Sequence, residues 1–70
     1  MVWEYLSLTV EKYGGWRPRY LEGEEIEGWK KLNIYDYLTK LGAKGWELVA
    51  VWGFTYNAVR YTFKRIPPKG

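Results

Sequence analysis

Leu41-Gly42-Ala43-Lys44-Gly45-Trp46-Glu47-Leu48-Val49-Ala50-Val51 is the stretch that decides the fold. Before Gly42 the residues Ile34, Tyr37, Leu38 and Leu41 recur at helical spacing, and after Gly45 the chain becomes the near-continuous apolar run of a buried strand. A helix end, a stop and a strand therefore follow one another with no spare residue. Asn33 suits the N-cap, because its side-chain oxygen can accept from the free amides of the first turn, and Asp36 follows where the helix dipole favours an acid. The spacing predicts a helix over residues 34–44, with Gly42 on the border of the buried face, where a missing side chain admits close approach to the sheet, and Gly45 as the left-handed stop.

Strands flank this corner. Residues 2–10 alternate, with Val2, Leu6, Leu8 and Val10 on one face and Trp3, Tyr5, Ser7 and Thr9 on the other; the two large aromatics predict that this first strand is covered on both sides near its start. The second strand, residues 46–54, is apolar in both alternating sets and is expected to be buried on both faces. The third, residues 59–65, sets Val59, Tyr61 and Phe63 inward and Arg60, Thr62 and Lys64 outward. A right-handed crossover would make strands one and two parallel, and a hairpin would return strand three antiparallel between them. The expected fold is α+β: one helix packed on a three-stranded, mostly antiparallel sheet (β-α-β-β, order 1-3-2, half-ferredoxin-like). It forms a single domain over residues 1–70, with an arm or loop inserted at 13–32 and a flexible tail at 66–70 beginning at Ile66 before Pro67-Pro68.

The arm opens on the turn Tyr13-Gly14-Gly15-Trp16 and then interleaves arginines and aromatics around a proline, Arg17-Pro18-Arg19-Tyr20. Guanidinium groups beside ring faces suit phosphate and nucleobase contact; the ordinary alternative is that the arginine stems stack on Trp16 and Tyr20 to cover a loop. Glu22, Glu24, Glu25 and Glu27 follow without calcium-loop spacing and read as a solvated face. Twenty residues are long for a structureless connection, so the arm is expected to contain short strand structure or to serve a partner.

Seventy residues hide only about 60% of the surface their unfolded chain exposes, which makes a lone core marginal. With no Cys and no His, neither disulfides nor a Cys/His zinc site can help, and dense aromatic packing (five Trp, seven Tyr, two Phe) and oligomerisation remain. An apolar face left open by the helix, carrying Trp3, Tyr5 and either alternating set of strand two, with Val49 and Val51 as its interface candidates, is expected to bury against another copy. The start has neither a basic nor an apolar leader pattern and no apolar run approaches the roughly 18 residues of a membrane span, so a soluble cytoplasmic protein without a membrane partner is expected. Gln is absent and Asn occurs twice, a depletion of thermolabile side chains that hints at a thermophilic source.

The net charge is +3, and once the four clustered glutamates are set aside eleven bases face four acids, which admits an anionic partner. Catalysis is not expected: Ser7 is the only serine and has no base to activate it, and Glu4, Asp36 and Glu47 fall on different elements. No catalytic residue, metal site or cofactor is assigned. Trp16, Arg17, Arg19, Tyr20, Trp52, Arg60 and Lys64 are the candidate contacts for an anionic or aromatic ligand such as a nucleotide.

Trp3-Glu4-Tyr5, the core Leu-Gly-Ala-Lys-Gly-Trp-Glu-Leu-Val within residues 38–51, and Tyr61-Thr62-Phe63-Lys64-Arg65 resemble domain-of-unknown-function family 4177, which consists of small bacterial and phage proteins. The likeness covers about three quarters of the chain and departs from the family's pattern at Trp16 to Lys31, which is longer and more aromatic. It implies the fold above and no activity, although the phage members make sequestration of a signalling nucleotide one specific form of binding. The expected function is a small non-enzymatic homo-oligomeric binding module. The alternatives are a structural, assembly or protein-interaction role without a small ligand, and single-stranded nucleic-acid binding.

Overall fold

A computed structural model of the chain describes residues 2–67, apart from the side chain of Phe54. The elements are β1 (Glu4–Lys12), β2 (Trp16–Leu21), β3 (Glu24–Glu25), a short 3-10 turn (Trp29–Lys31), α1 (Ile34–Ala43), β4 (Glu47–Thr55) and β5 (Ala58–Arg65). Of the tail expected at 66–70, Ile66 and Pro67 follow β5, and residues 68–70 lie outside the described residues. No helix among the described residues is long and apolar enough to cross a membrane.

The sheet has five strands in the order β3-β2-β1-β5-β4, and every neighbouring pair is antiparallel. This corrects the expected three-stranded half-ferredoxin plate. The difference lies in the arm, which adds β2 and β3 beyond β1. Gly14 (φ 60°) and Gly15 (φ 125°) supply the positive φ that lets the chain reverse after β1. A second tight turn passes through Glu22 (φ 52°) and Gly23 (φ 83°), consecutive left-handed residues of the kind two-residue hairpins require. Glu22 pays for that conformation with two bonds to Ser7: its amide donates to Ser7 O at 2.9 Å, and the Ser7 amide donates to its Oε1 at 3.0 Å.

The corner between α1 and β4 follows from local chemistry. Asn33 Oδ1 accepts from the Tyr35 amide at 2.8 Å and the Asp36 amide at 3.4 Å, capping the helix start. At the other end the Gly45 amide donates to Gly42 O at 2.9 Å and the Trp46 amide to Leu41 O at 3.1 Å, with Gly45 at φ 89°. Those two bonds form the Schellman closure, and its usual apolar contact is made as Trp46 packs on the core that includes Leu41. Gly42 plays no part in close packing, because a Cβ there would meet nothing within 4 Å.

Leu8, Val10, Ile34, Leu41 and Phe63 form the buried core, with Leu6, Leu21, Ile26, Tyr37, Leu38, Trp46 and Tyr61 packed around it. Cross-strand partners point to one face, so Leu6, Leu8 and Val10 share the helix side with Phe63, Tyr61 and Val59. The helix covers the β1 and β2 part of that side and stops short of β4. Leu48, Val49, Val51 and Trp52 are exposed, against the expectation that this strand is buried on both faces. Tyr5 is likewise 63% exposed, so the opposite face of β1 is open near its start rather than covered.

Leu8→Ala removes a fully buried side chain at the centre of the sheet and is expected to cost about 2–5 kcal/mol in denaturant unfolding. Leu48→Ala, at a position 47% exposed, is expected to cost less than about 1 kcal/mol by the same measurement.

Candidate ligand-binding face

The two arginines of the arm are committed within the fold. Arg17 donates from Nε to Tyr13 O at 3.0 Å, from Nη2 to Gly14 O at 3.1 Å and from Nη1 to Leu32 O at 3.0 Å. One side chain thereby fastens the β1–β2 turn to the segment entering the helix. Arg19 donates from Nη1 to Glu11 Oε1 at 2.8 Å and from Nη2 to Glu25 Oε2 at 3.2 Å, bridging β1 and β3 across β2. Its guanidinium lies 5.0 Å from the Tyr20 ring centroid and 4.6 Å from that of Trp29. The hydrogen bond with Glu11 raises the Arg19 guanidinium above its ordinary value; desolvation opposes this, and the bond with Glu25 adds to it. The ring contact of Arg19 with Tyr20 is made by its guanidinium. Its further ring partner, Trp29, is buried and meets Tyr13 in a T-shaped pair with ring centroids 5.5 Å apart.

Register sorts the other candidates. Thr9 pairs with Tyr20 on β2 and with Arg60 on β5, and Arg60 pairs with Trp52 on β4. Tyr20, Thr9, Arg60 and Trp52 therefore form one row across four strands, on the face away from the helix. A second row on that face is Tyr5, Lys64 and Glu47, and between the two lies the small polar row Ser7, Thr62 and Ala50. Lys64 Nζ sits 4.1 Å from the Trp3 ring centroid. Tyr20, Trp52, Arg60 and Lys64 thus share a face with Arg17, which pairs with Glu11 but has its guanidinium committed to three carbonyls. Trp16 does not: opposite Lys12, it stands by register on the side of Val10 and Pro18.

The four proposed interface residues divide as well. Trp3, beneath Lys64, and Tyr5 go with the open face, whereas Val51 pairs with Tyr61 on the helix side. Val49 falls in the register shift between Leu48 and Ala50, a bulge that also explains why two sets of β4 look alike in sequence.

No protein-family model, curated protein or solved structure matches the chain. The resemblance to domain-of-unknown-function family 4177 accordingly stands on the residues quoted for it.

Chemically, the open face offers exposed aromatic surfaces at Tyr5 (63%) and Trp52 (61%), two cations, and the hydroxyls of Ser7, Thr9 and Thr62 between them. Two shallow hollows of about 450 and 400 Å³ lie elsewhere, along residues 25–31 and between Ile26 and Lys40. Their walls mix Glu25, Glu27 and Asp36 with Lys30, Lys31 and Lys40, and none of the seven candidates lines them. Among the described residues no group of three His, Cys, Asp or Glu could hold a metal ion. The hydroxyl row and Tyr5 were not assigned to a ligand from sequence, although the alternation of β1 already set Tyr5, Ser7 and Thr9 on one face.

Arg17→Ala is expected to lower unfolding stability by about 1–3 kcal/mol, because three backbone carbonyls lose a charged donor. Arg17→Lys, which cannot serve three diverging carbonyls from one plane, is expected to recover less than half of that loss in the same denaturant titration.

Proposed function

We propose that the chain is a small non-enzymatic binding module, working as a homo-oligomer, whose open sheet face holds an anionic aromatic ligand of the nucleotide class. The observation that carries this reading is the row Tyr20, Thr9, Arg60 and Trp52, with Tyr5 and Lys64 beside it. A ring stacked on Trp52 or Tyr5 gains dispersion and excludes water, and Arg60 and Lys64 lie within the same patch to neutralise phosphate. Ser7, Thr9 and Thr62 supply short hydroxyl donors and acceptors suited to a sugar or a base edge. The absence of Cys and His from the chain and the placement of its single serine among threonines support binding rather than covalent chemistry.

Structural or protein-interaction work without a small ligand is the second reading, favoured by the exposed apolar side chains of β4. The two separate on a titration of tryptophan fluorescence with nucleoside mono-, di- and triphosphates, cyclic dinucleotides and a short single-stranded oligonucleotide at low salt. Saturable quenching is expected with at least one nucleotide. Trp52→Ala and Arg60→Ala are each expected to weaken it about tenfold, in line with about 1–3 kcal/mol for one stacked base. Quenching confined to the oligonucleotide would move the ligand class to single strands. No response to any of these anions, or a response unchanged by Trp52→Ala, would overturn the binding reading.

A further inference from the structure

β4 lies at one end of the sheet, and no described strand pairs with its outer edge. Edge strands are commonly kept short, or carry lysines or proline that discourage pairing with another chain. β4 has nine residues, and from Leu48 to Thr55 it contains no charge and no proline. Its protection consists of register shifts near Val49 and Phe54, which leave Ala50, Val51, Trp52 and Gly53 in regular register. Leu48 and Val51 are exposed on the helix side of the strand, and Trp52 is exposed on the other. An open edge thus coincides with exposed apolar side chains on both of its flanks.

We propose that β4 pairs antiparallel with β4 of a second copy, about a two-fold axis through Val51, so that two five-stranded sheets become one. The edge itself selects this occupant. Edge-to-edge antiparallel pairing places the axis perpendicular to the sheet, which keeps both helices on one side and requires the register to centre on a residue. Centring on Trp52 would set two indoles against each other. Centring on Val51 sets Trp52 opposite Ala50 of the partner subunit, a large side chain over a small one, and repeats that match across the axis. Charge agrees: the only charged residue of β4 is Glu47, at its first position, so no like charges meet across the regular stretch Ala50 to Gly53. Parallel pairing would instead stack Glu47 on Glu47 of the partner subunit. The pairing deepens the oligomeric part of the function proposed above and is independent of the ligand, but it would make the two open faces continuous, with Trp52 of each copy flanking the seam.

The chain has no cysteine, so Val51→Cys introduces a single thiol at the axis. Antiparallel partners stand about 4.5–5.5 Å apart at Cα, within disulfide range. Mild oxidation of dilute Val51→Cys protein is expected to give mainly a disulfide-linked dimer on a non-reducing gel, at least fivefold more than Tyr35→Cys, on an exposed position of the helix, or Tyr56→Cys, on the exposed β4–β5 turn. Cross-linking of Val51→Cys no greater than that of the two controls would overturn the pairing. As a second measurement, light scattering of the unaltered protein is expected to give twice the 8.4 kDa chain mass, halved in Val51→Lys with an unchanged circular dichroism spectrum. A Val51→Lys protein that remains dimeric would overturn it. These outcomes do not depend on nucleotide: a dimer without quenching removes the ligand alone, and quenching by a monomer removes the pairing alone.

Discussion

One ten-residue helix has to close a five-stranded sheet, and the rest of the structure follows from how little it can cover. Its buried positions, Ile34 and Leu41, meet Leu8, Val10 and Phe63 on the two central strands and leave the β4 end of the same side exposed. Among the described residues no α-helix packs on the opposite face. Such a chain has a narrow core, and each uncovered apolar residue either serves as ordinary surface or takes a partner.

Under this constraint the arm acts as a second source of order. β2 extends the sheet beyond β1 and brings Leu21 and the buried Pro18 to the core side. Arg17 and Arg19 then fix it by satisfying carbonyl and carboxylate groups around that edge. Charged side chains carry out at the β2 end what apolar packing does at the centre. At the start of β4 Arg65 donates to Lys44 O and lies over the Trp46 ring, whereas Leu48, Val49, Val51 and Trp52 further along the strand stay exposed.

The corner from Leu41 to Val51 was legible because its information is local: a capping asparagine, a helical period, a left-handed glycine and an apolar run act within a few residues of one another. The helix, β1, β4 and β5 could be read for the same reason, to within a residue or two. The arm was less legible, since β2 is a strand only by virtue of pairing with β1 and β3 by pairing with β2, and the turn at Glu22 places a non-glycine residue at positive φ, held by bonds to Ser7 fifteen residues away. Burial of β4 was misread because an apolar run on both faces is the signature of a central strand and equally of an edge that a single helix fails to reach. For the candidate site, composition drew attention to arginine beside aromatic rings but could not tell a guanidinium that braces the fold from one on the open face. Register places Tyr20, Arg60 and Trp52 in one row, and three carbonyl acceptors, not register, take Arg17 out of use.

The unequal coverage of the two faces is most directly tested by hydroxyl-radical footprinting of dilute, ligand-free protein, read residue by residue by mass spectrometry. Tyr5 and Trp52 should be oxidised rapidly, whereas Trp29 and Phe63, which are 8% and 2% exposed, should be protected. Tyr5 and Trp52 protected to the same degree as Phe63 would contradict a sheet closed on one side by α1.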